Sequence, residues 1–146
     1  MKILIINGPN LNLLGKRDPK VYGTMSMEQV LLDIQRQWFG THFEYLQSNH
    51  EGVLIDRLQE AATETDLSGI VINAGGYAHT SVALRDALDY VTQQHIPVVN
   101  VHISDVRARE GFRQTDLLTD VSSYTIIGHG INGYKEAVDY IVHLDR

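Results

Sequence analysis

Lys2-Ile3-Leu4-Ile5-Ile6 decides the fold. After the lysine every residue is Ile or Leu and nothing polar alternates, which predicts a strand buried on both faces. Such a strand belongs to a parallel sheet with helices on each side. Gly69-Ile70-Val71-Ile72-Asn73 and the stretch from Pro97 to Ile103 repeat the pattern. Phe43 to Gln47 and Tyr124 to Ile127 read as the second and fifth strands. Between them the period changes. Ser26 caps a helix to about Trp38, with Val30, Leu31, Ile34 and Trp38 on one stripe. Val53 to about Thr63 carries Leu54, Ile55, Leu58 and Ala61 at helical spacing. Thr80 or Ser81 caps a helix with Val82, Leu84, Ala87, Leu88 and Val91 inward, stopped by Pro97. Arg107 to Phe112 reads as a short helix, and Gly133 to His143 as the last. The expectation is an α/β fold, a doubly wound five-stranded parallel sheet. Its common strand order is 2-1-3-4-5, the flavodoxin-like arrangement, with ligands outside the carboxyl ends of strands one and three.

The 146 residues predict one domain, residues 1–146, with an ordinary globular balance of 43% hydrophobic and 21% charged residues. The absence of Cys removes disulfides, thiolate metal sites and a Cys nucleophile, and fits a reducing compartment. A net charge of −6 speaks against non-specific nucleic-acid binding. No apolar run approaches the roughly 20 residues of a membrane span. The N-terminus lacks the form of a signal peptide, so the expected location is the cytoplasm.

Polar residues gather where strands of this order would end: Asn7 to Asn12, His50, Asn73 to His79, and His102 to Arg113. The stretch from Asn7 to Gly23 is long for so small a domain. Its first half has Leu11, Leu13 and Leu14 as anchors, and its second half, Gly15 to Gly23, is written as a mobile lid holding Arg17 and Tyr22. Neither a Walker loop nor G-x-G-x-x-G is present, which counts against a nucleotide or FMN carrier of the same fold. Gly75-Gly76 before a helix offers backbone N–H groups to a phosphate or a carboxylate. The histidines lack short metal-ligand spacing, and Ser81 and Ser104 lack a glycine elbow. An acid–base site remains. His102 ends the fourth strand on the same face as Asn100, and a guanidinium at Arg17 near the Tyr22 phenol favours the phenolate, making Tyr22 a candidate base.

Asn7-Gly8-Pro9-Asn10-Leu11-Asn12-Leu13-Leu14-Gly15 with Arg17 and Tyr22-Gly23 resembles the signature of type II 3-dehydroquinate dehydratases. So do Gln47-Ser48-Asn49-His50-Glu51-Gly52, Ile72-Asn73 with Gly75, His79-Thr80-Ser81, Ala83-Leu84-Arg85-Asp86-Ala87, Val101-His102-Ile103-Ser104, and Ala108-Arg109-Glu110 with Phe112-Arg113. The resemblance implies a dodecamer of four trimers with no cofactor and no metal. It implies dehydration of 3-dehydroquinate to 3-dehydroshikimate through an enolate, in the shikimate or quinate pathway. On that resemblance Tyr22 is the base, Arg17 supports its ionised form, His102 is the acid, and Asn12 helps hold a water on the enolate. Asn73, His79 and Arg113 bind substrate hydroxyls, and the N–H groups of Ile103 and Ser104 bind the carboxylate. Gly75, Gly76 and Arg109 support the site, and Asp86 reaches a neighbouring subunit.

The pattern departs from the family behind the acid. Asn100 stands where the family usually has Glu, Asp105 where Asn is common and Arg107 where His is common. Gln114-Thr115-Asp116 replaces a His/Ser-containing run. An amide supplies no charge to an imidazolium, so the expectation is a weakened His102, with Asp105 as a candidate substitute. The alternative reading is a homologue of the same fold with weak activity or another cyclic hydroxy-acid as ligand.

Overall fold

The computed structural model describes residues 1–144. Five parallel strands form one sheet: β1 (Lys2–Asn7), β2 (His42–Gln47), β3 (Leu67–Asn73), β4 (Val98–His102) and β5 (Tyr124–Ile127), in the order β2-β1-β3-β4-β5. This is the expected doubly wound, flavodoxin-like arrangement. Side chains on the central strands alternate between two apolar clusters. Leu4, Ile6, Ile70 and Ile72 face Leu54, Leu58, Leu84 and Leu88, from α3 (Glu51–Ala61) and α4 (Val82–Gln93). Ile3, Ile5, Val71 and Val101 face Val30, Ile34, Val138 and Ile141, from α2 (Met27–Gln37) and α5 (Asn132–Val142). Each of these side chains is essentially inaccessible, a gain of about 1.5–3 kcal/mol apiece, so the unalternated runs of β1 and β3 follow from burial on both faces.

Ser26 and Gln29 close a reciprocal capping box that starts α2, and Ser81 rather than Thr80 caps α4. Three expectations are corrected. Val82 is 60% exposed because it lies two residues before Leu84, about 200° round the helix from the buried stripe. Leu13 is exposed while Leu11 and Leu14 anchor the loop. The predicted short helix from Arg107 to Phe112 is instead two 3-10 turns, Val106–Ala108 and Gly111–Gln114, with extended backbone at Arg109 and Glu110 between them. Six residues are too few to nucleate an α-helix without support, and Asp105 bonds the Arg107 N–H to tighten the first turn. The segment expected as a lid contains α1 (Pro19–Tyr22), capped by Asp18.

At the amino edge of the sheet a charge network ties β1 and β2 to α3 and the turn before β3. Lys2 Nζ lies 3.0 Å from Glu64, 3.3 Å from Asp66 and 3.5 Å from Glu44, and Arg57 bonds Glu44 and Glu64 at 2.8 and 2.9 Å. At the carboxyl edge two loops meet closely. A Cβ on Gly8 would stand 2.3 Å from the Ala74 carbonyl oxygen, so only glycine allows this approach. No helix among the described residues is long and apolar enough to cross a membrane.

Candidate active site

The carboxyl ends of β1, β3 and β4 open into a cleft of about 140 Å³, small against the pockets that hold drug-sized ligands. Arg17 and Tyr22 come to it from α1 and the loop before it, Asn73 and Gly75 from the end of β3, His102 from the end of β4, and Arg109 and Arg113 from the turns that follow. Gly76, His79, Ile103 and Ser104 complete the wall. Three guanidinium groups on so small a cavity make it a site for an anion.

Beneath the cleft lies a buried polar network. Tyr134, fully buried on α5, donates its hydroxyl to Asn7 Oδ1 at 2.9 Å and accepts from Asn73 Nδ2 at 3.0 Å. Asn73 Oδ1 in turn accepts the Gly75 N–H, which fixes the turn after β3 at a positive φ of 60°. Asn73 therefore has one N–H and one lone pair left for a ligand. Burial pushes the Tyr134 hydroxyl far above the usual phenol range, so it stays a donor.

The Tyr22 hydroxyl meets a different arginine from the one expected. Arg109 Nη1 donates to it at 3.2 Å and to Ser104 Oγ at 3.3 Å, while the Arg17 guanidinium stacks over the Tyr22 ring face, 4.2 Å from its centroid. Arg113 Nε is held by Glu110, whose carboxyl the guanidinium keeps below the usual range.

His102 is 4% exposed. Asp116 Oδ2 lies 2.7 Å from its Nε2, and the same oxygen accepts from Asn100 Nδ2 at 2.8 Å. The expected deficit of charge behind His102 is thus overturned: a carboxylate is present, supplied by the loop rather than by position 100. Asp105 does not provide it, because both its oxygens face Arg107. Burial acts to raise the Asp116 carboxyl, and its contacts with His102, the Leu118 N–H and the Thr119 hydroxyl outweigh that, holding the group at about 2. A carboxylate only accepts, so Nε2 of His102 carries a proton and Nδ1 is the atom left to act on a ligand. The His79 ring stacks on His102 with centroids 5.8 Å apart, and its Nδ1 bonds the Thr115 carbonyl at 2.7 Å.

Two expected site residues stand elsewhere. Asn12 is exposed on a 3-10 turn and outside the cleft wall, which Asn10 joins instead. Asp86 is exposed on α4, in a groove between α3 and α4 with Ile55, Gln59 and Tyr90. Asp116, Asn10 and Tyr134 escaped the sequence reading. Asp116 left a trace there as an unusual residue in a run already marked as divergent, and Asn10 only as one member of the polar stretch from Asn7 to Asn12.

A family model described as dehydroquinase class II matches residues 1–142. The chain is 49% identical over 143 residues to a protein of Dinoroseobacter shibae named 3-dehydroquinate dehydratase, covering 97% of this chain and 92% of that one. It is 45% identical over 152 residues to a protein of Podospora anserina named catabolic 3-dehydroquinase, covering 95% and 92%. Among solved structures, a type II dehydroquinase from Butyrivibrio crossotus superposes with a TM-score of 0.91 at 44% identity, covering 97% of each chain.

Proposed function

The chain belongs to the dehydroquinase class II family, and from that premise we propose that it is a hydro-lyase converting 3-dehydroquinate to 3-dehydroshikimate. One observation supports the catalytic assignment best: the Tyr22 hydroxyl on Arg109 and the His102 ring on Asp116 line the same small, cationic cleft. Tyr22 is the base. It takes the C2 proton beside the ketone, and the electrons move into the carbonyl as an enolate. Arg109 donates to the phenol oxygen and Arg17 lies over the ring face, so two cations stand at the group that takes the proton. The enolate then expels the C1 hydroxyl, which leaves as water with a proton from His102 Nδ1, and the C1–C2 double bond forms. The backbone N–H groups of Ile103 and Ser104 hold the substrate carboxylate. The His79 Nε2, the free positions of Asn73 and the Arg113 guanidinium hold its hydroxyls.

Asn12 has no step in this scheme. The whole chain, residues 1–146, acts as one catalytic domain without cofactor, in the cytoplasm. The active particle is a homododecamer in which Asp86 reaches the site of a neighbouring subunit; its exposure away from its own cleft supports that role. The alternative of weak or redirected activity drew on the missing carboxylate at position 100, and Asp116 removes that argument.

The test is turnover of 3-dehydroquinate followed by the enone absorbance of the product. Wild type turns over, and Tyr22→Phe loses at least about 10³-fold in kcat with little change in KM. Equal activity in Tyr22→Phe overturns the base assignment, and an inert wild type overturns the substrate.

A further inference from the structure

We propose that Asp116 is the positioning residue of His102, doing from the loop after β4 what a carboxylate at position 100 would do from the strand itself. The inference deepens the dehydratase reading and rests on it for the chemical step alone. Its ground is geometric. Asp116 Oδ2 is 2.7 Å from His102 Nε2, and the two side chains are 8% and 4% exposed. Four further contacts hold the carboxylate and its loop in place: the Asn100 amide at 2.8 Å, the Leu118 N–H at 2.9 Å, the Thr119 hydroxyl at 2.9 Å, and the Leu117 N–H on the Ala78 carbonyl at 2.8 Å.

Asn100 then has a definite part. Its NH₂ must face Asp116, since the carboxylate offers no hydrogen to its Oδ1, and that oxygen has no hydrogen-bond partner among the described residues. A Glu at position 100 would bring a second carboxylate against Asp116 in a buried place. One proton would then be shared between two acids, and the acceptor behind Nε2 of His102 would no longer be a single carboxylate. Asn at 100 and Asp at 116 are therefore one solution, with a single carboxylate behind the imidazole. Glu at 100 with a neutral residue at 116 is the other.

Several charged or titratable groups surround His102. Asp116 meets Nε2, the His79 ring stacks on its face, and Arg109, Arg113, Arg17 and Tyr22 stand round the cleft. Asp116 is the only carboxylate among them within hydrogen-bond distance of the ring. Its removal therefore takes away the one carboxylate contact that orients the ring and fixes which nitrogen faces the cleft.

The experiment compares wild type, Asp116→Asn, Asn100→Glu and the double variant Asn100→Glu/Asp116→Asn. It uses 3-dehydroquinate turnover across pH, thermal melting, and the NMR resonance of the His102 Nε2–H, assigned by loss of its signal in His102→Gln. Asp116→Asn is expected to lower kcat by about 10²-fold or more, with KM within a few-fold. It is expected to change the shape of the pH–rate profile and to move the hydrogen-bonded Nε2–H resonance of His102 upfield. Asn100→Glu alone is slower than wild type, and the double variant recovers at least about tenfold over Asp116→Asn. A kcat within twofold of wild type in Asp116→Asn, or an Nε2–H resonance of His102 unmoved in it, overturns the proposal. So does a folded double variant no faster than Asp116→Asn, because a purely structural role would give that result. The Nε2–H resonance reads the pairing without turnover, so an inert wild type would refute the dehydratase reading and leave this one to its own answer.

Discussion

Tyr134→Phe tests whether the floor of the cleft is held by one buried hydroxyl. The substitution keeps the ring and leaves no cavity, so the whole effect comes from hydrogen bonds. It removes the donor to Asn7 Oδ1 and the acceptor of Asn73 Nδ2, at 2.9 and 3.0 Å. Asn7 is 0% and Asn73 3% exposed, and a buried polar group stripped of its partner costs about 1–3 kcal/mol. Asn7 keeps its Nδ2 contact to Tyr45 at 3.3 Å and Asn73 keeps the Gly75 N–H, so the sum falls near 2–4 kcal/mol rather than at the extreme. For a chain of this length that is a fall in melting temperature of about 6–15 °C, with the urea m-value unchanged. KM rises several-fold, because Asn73 is no longer held in register with the Gly75 turn, and kcat changes less. The loss is flat with pH across the neutral range, since the Tyr134 hydroxyl remains protonated there. The assay is urea and thermal unfolding of both proteins at three pH values, with KM from the enone absorbance. A fall below about 2 °C with KM unchanged would refute the idea that this hydroxyl organises the floor.

Two other perturbations address the site from different sides. Gly8→Ala sets a methyl 2.3 Å from the Ala74 carbonyl oxygen, a backbone atom that cannot swing aside, because the Gly8 N–H is tied to the Asn73 carbonyl at 2.8 Å; about 3 kcal/mol of stability is lost, read as a lower urea midpoint, and an unchanged midpoint would mean that the two loops are free to part. The Asp116 carboxyl titrates at about 2 in the folded chain against an ordinary 3.8. Its contribution is therefore present above pH about 4 and is lost as pH falls from about 4 to 2, worth about 2 kcal/mol. Urea midpoints of wild type and Asp116→Asn converge over that window, and a gap that stays constant would show that the carboxylate is not ionised in the native state.

The strands were legible because burial on both faces leaves an unmistakable mark: Ile3 to Ile6 in β1 and Ile70 to Ile72 in β3 have no polar residue to alternate. Their order followed from the alternation with helices. Val82 was misjudged because an apolar residue near a helix start looks inward unless its angle from Leu84 is counted. The segment from Arg107 to Phe112 was misjudged because short turns are shaped by single contacts, here Asp105 on the Arg107 N–H, which no period announces. Arg17, Tyr22, His79 and His102 were placed at one cleft by strand-end logic together with the family resemblance. The partners of those residues were not. Arg109 reaches Tyr22 across 87 positions and Asp116 reaches His102 across 14, and such pairings depend on where loops fold back. The sequence reading looked for the missing charge at Asp105, three positions past His102, whereas Asp116 supplies it from fourteen positions on.

The ion network of Lys2, Glu44, Arg57, Glu64 and Asp66 sits at the opposite end of the strands from the cleft, about 20 Å away along a six-residue strand. Substitutions that far apart and without shared partners combine additively. The amino edge of this sheet is therefore the place to engineer heat tolerance: re-spacing its charges or replacing the network with apolar residues alters robustness while leaving the proton chemistry untouched. The carboxyl edge has no such freedom, since Gly8, Asn73, Tyr134 and Asp116 each serve the architecture and the cleft together.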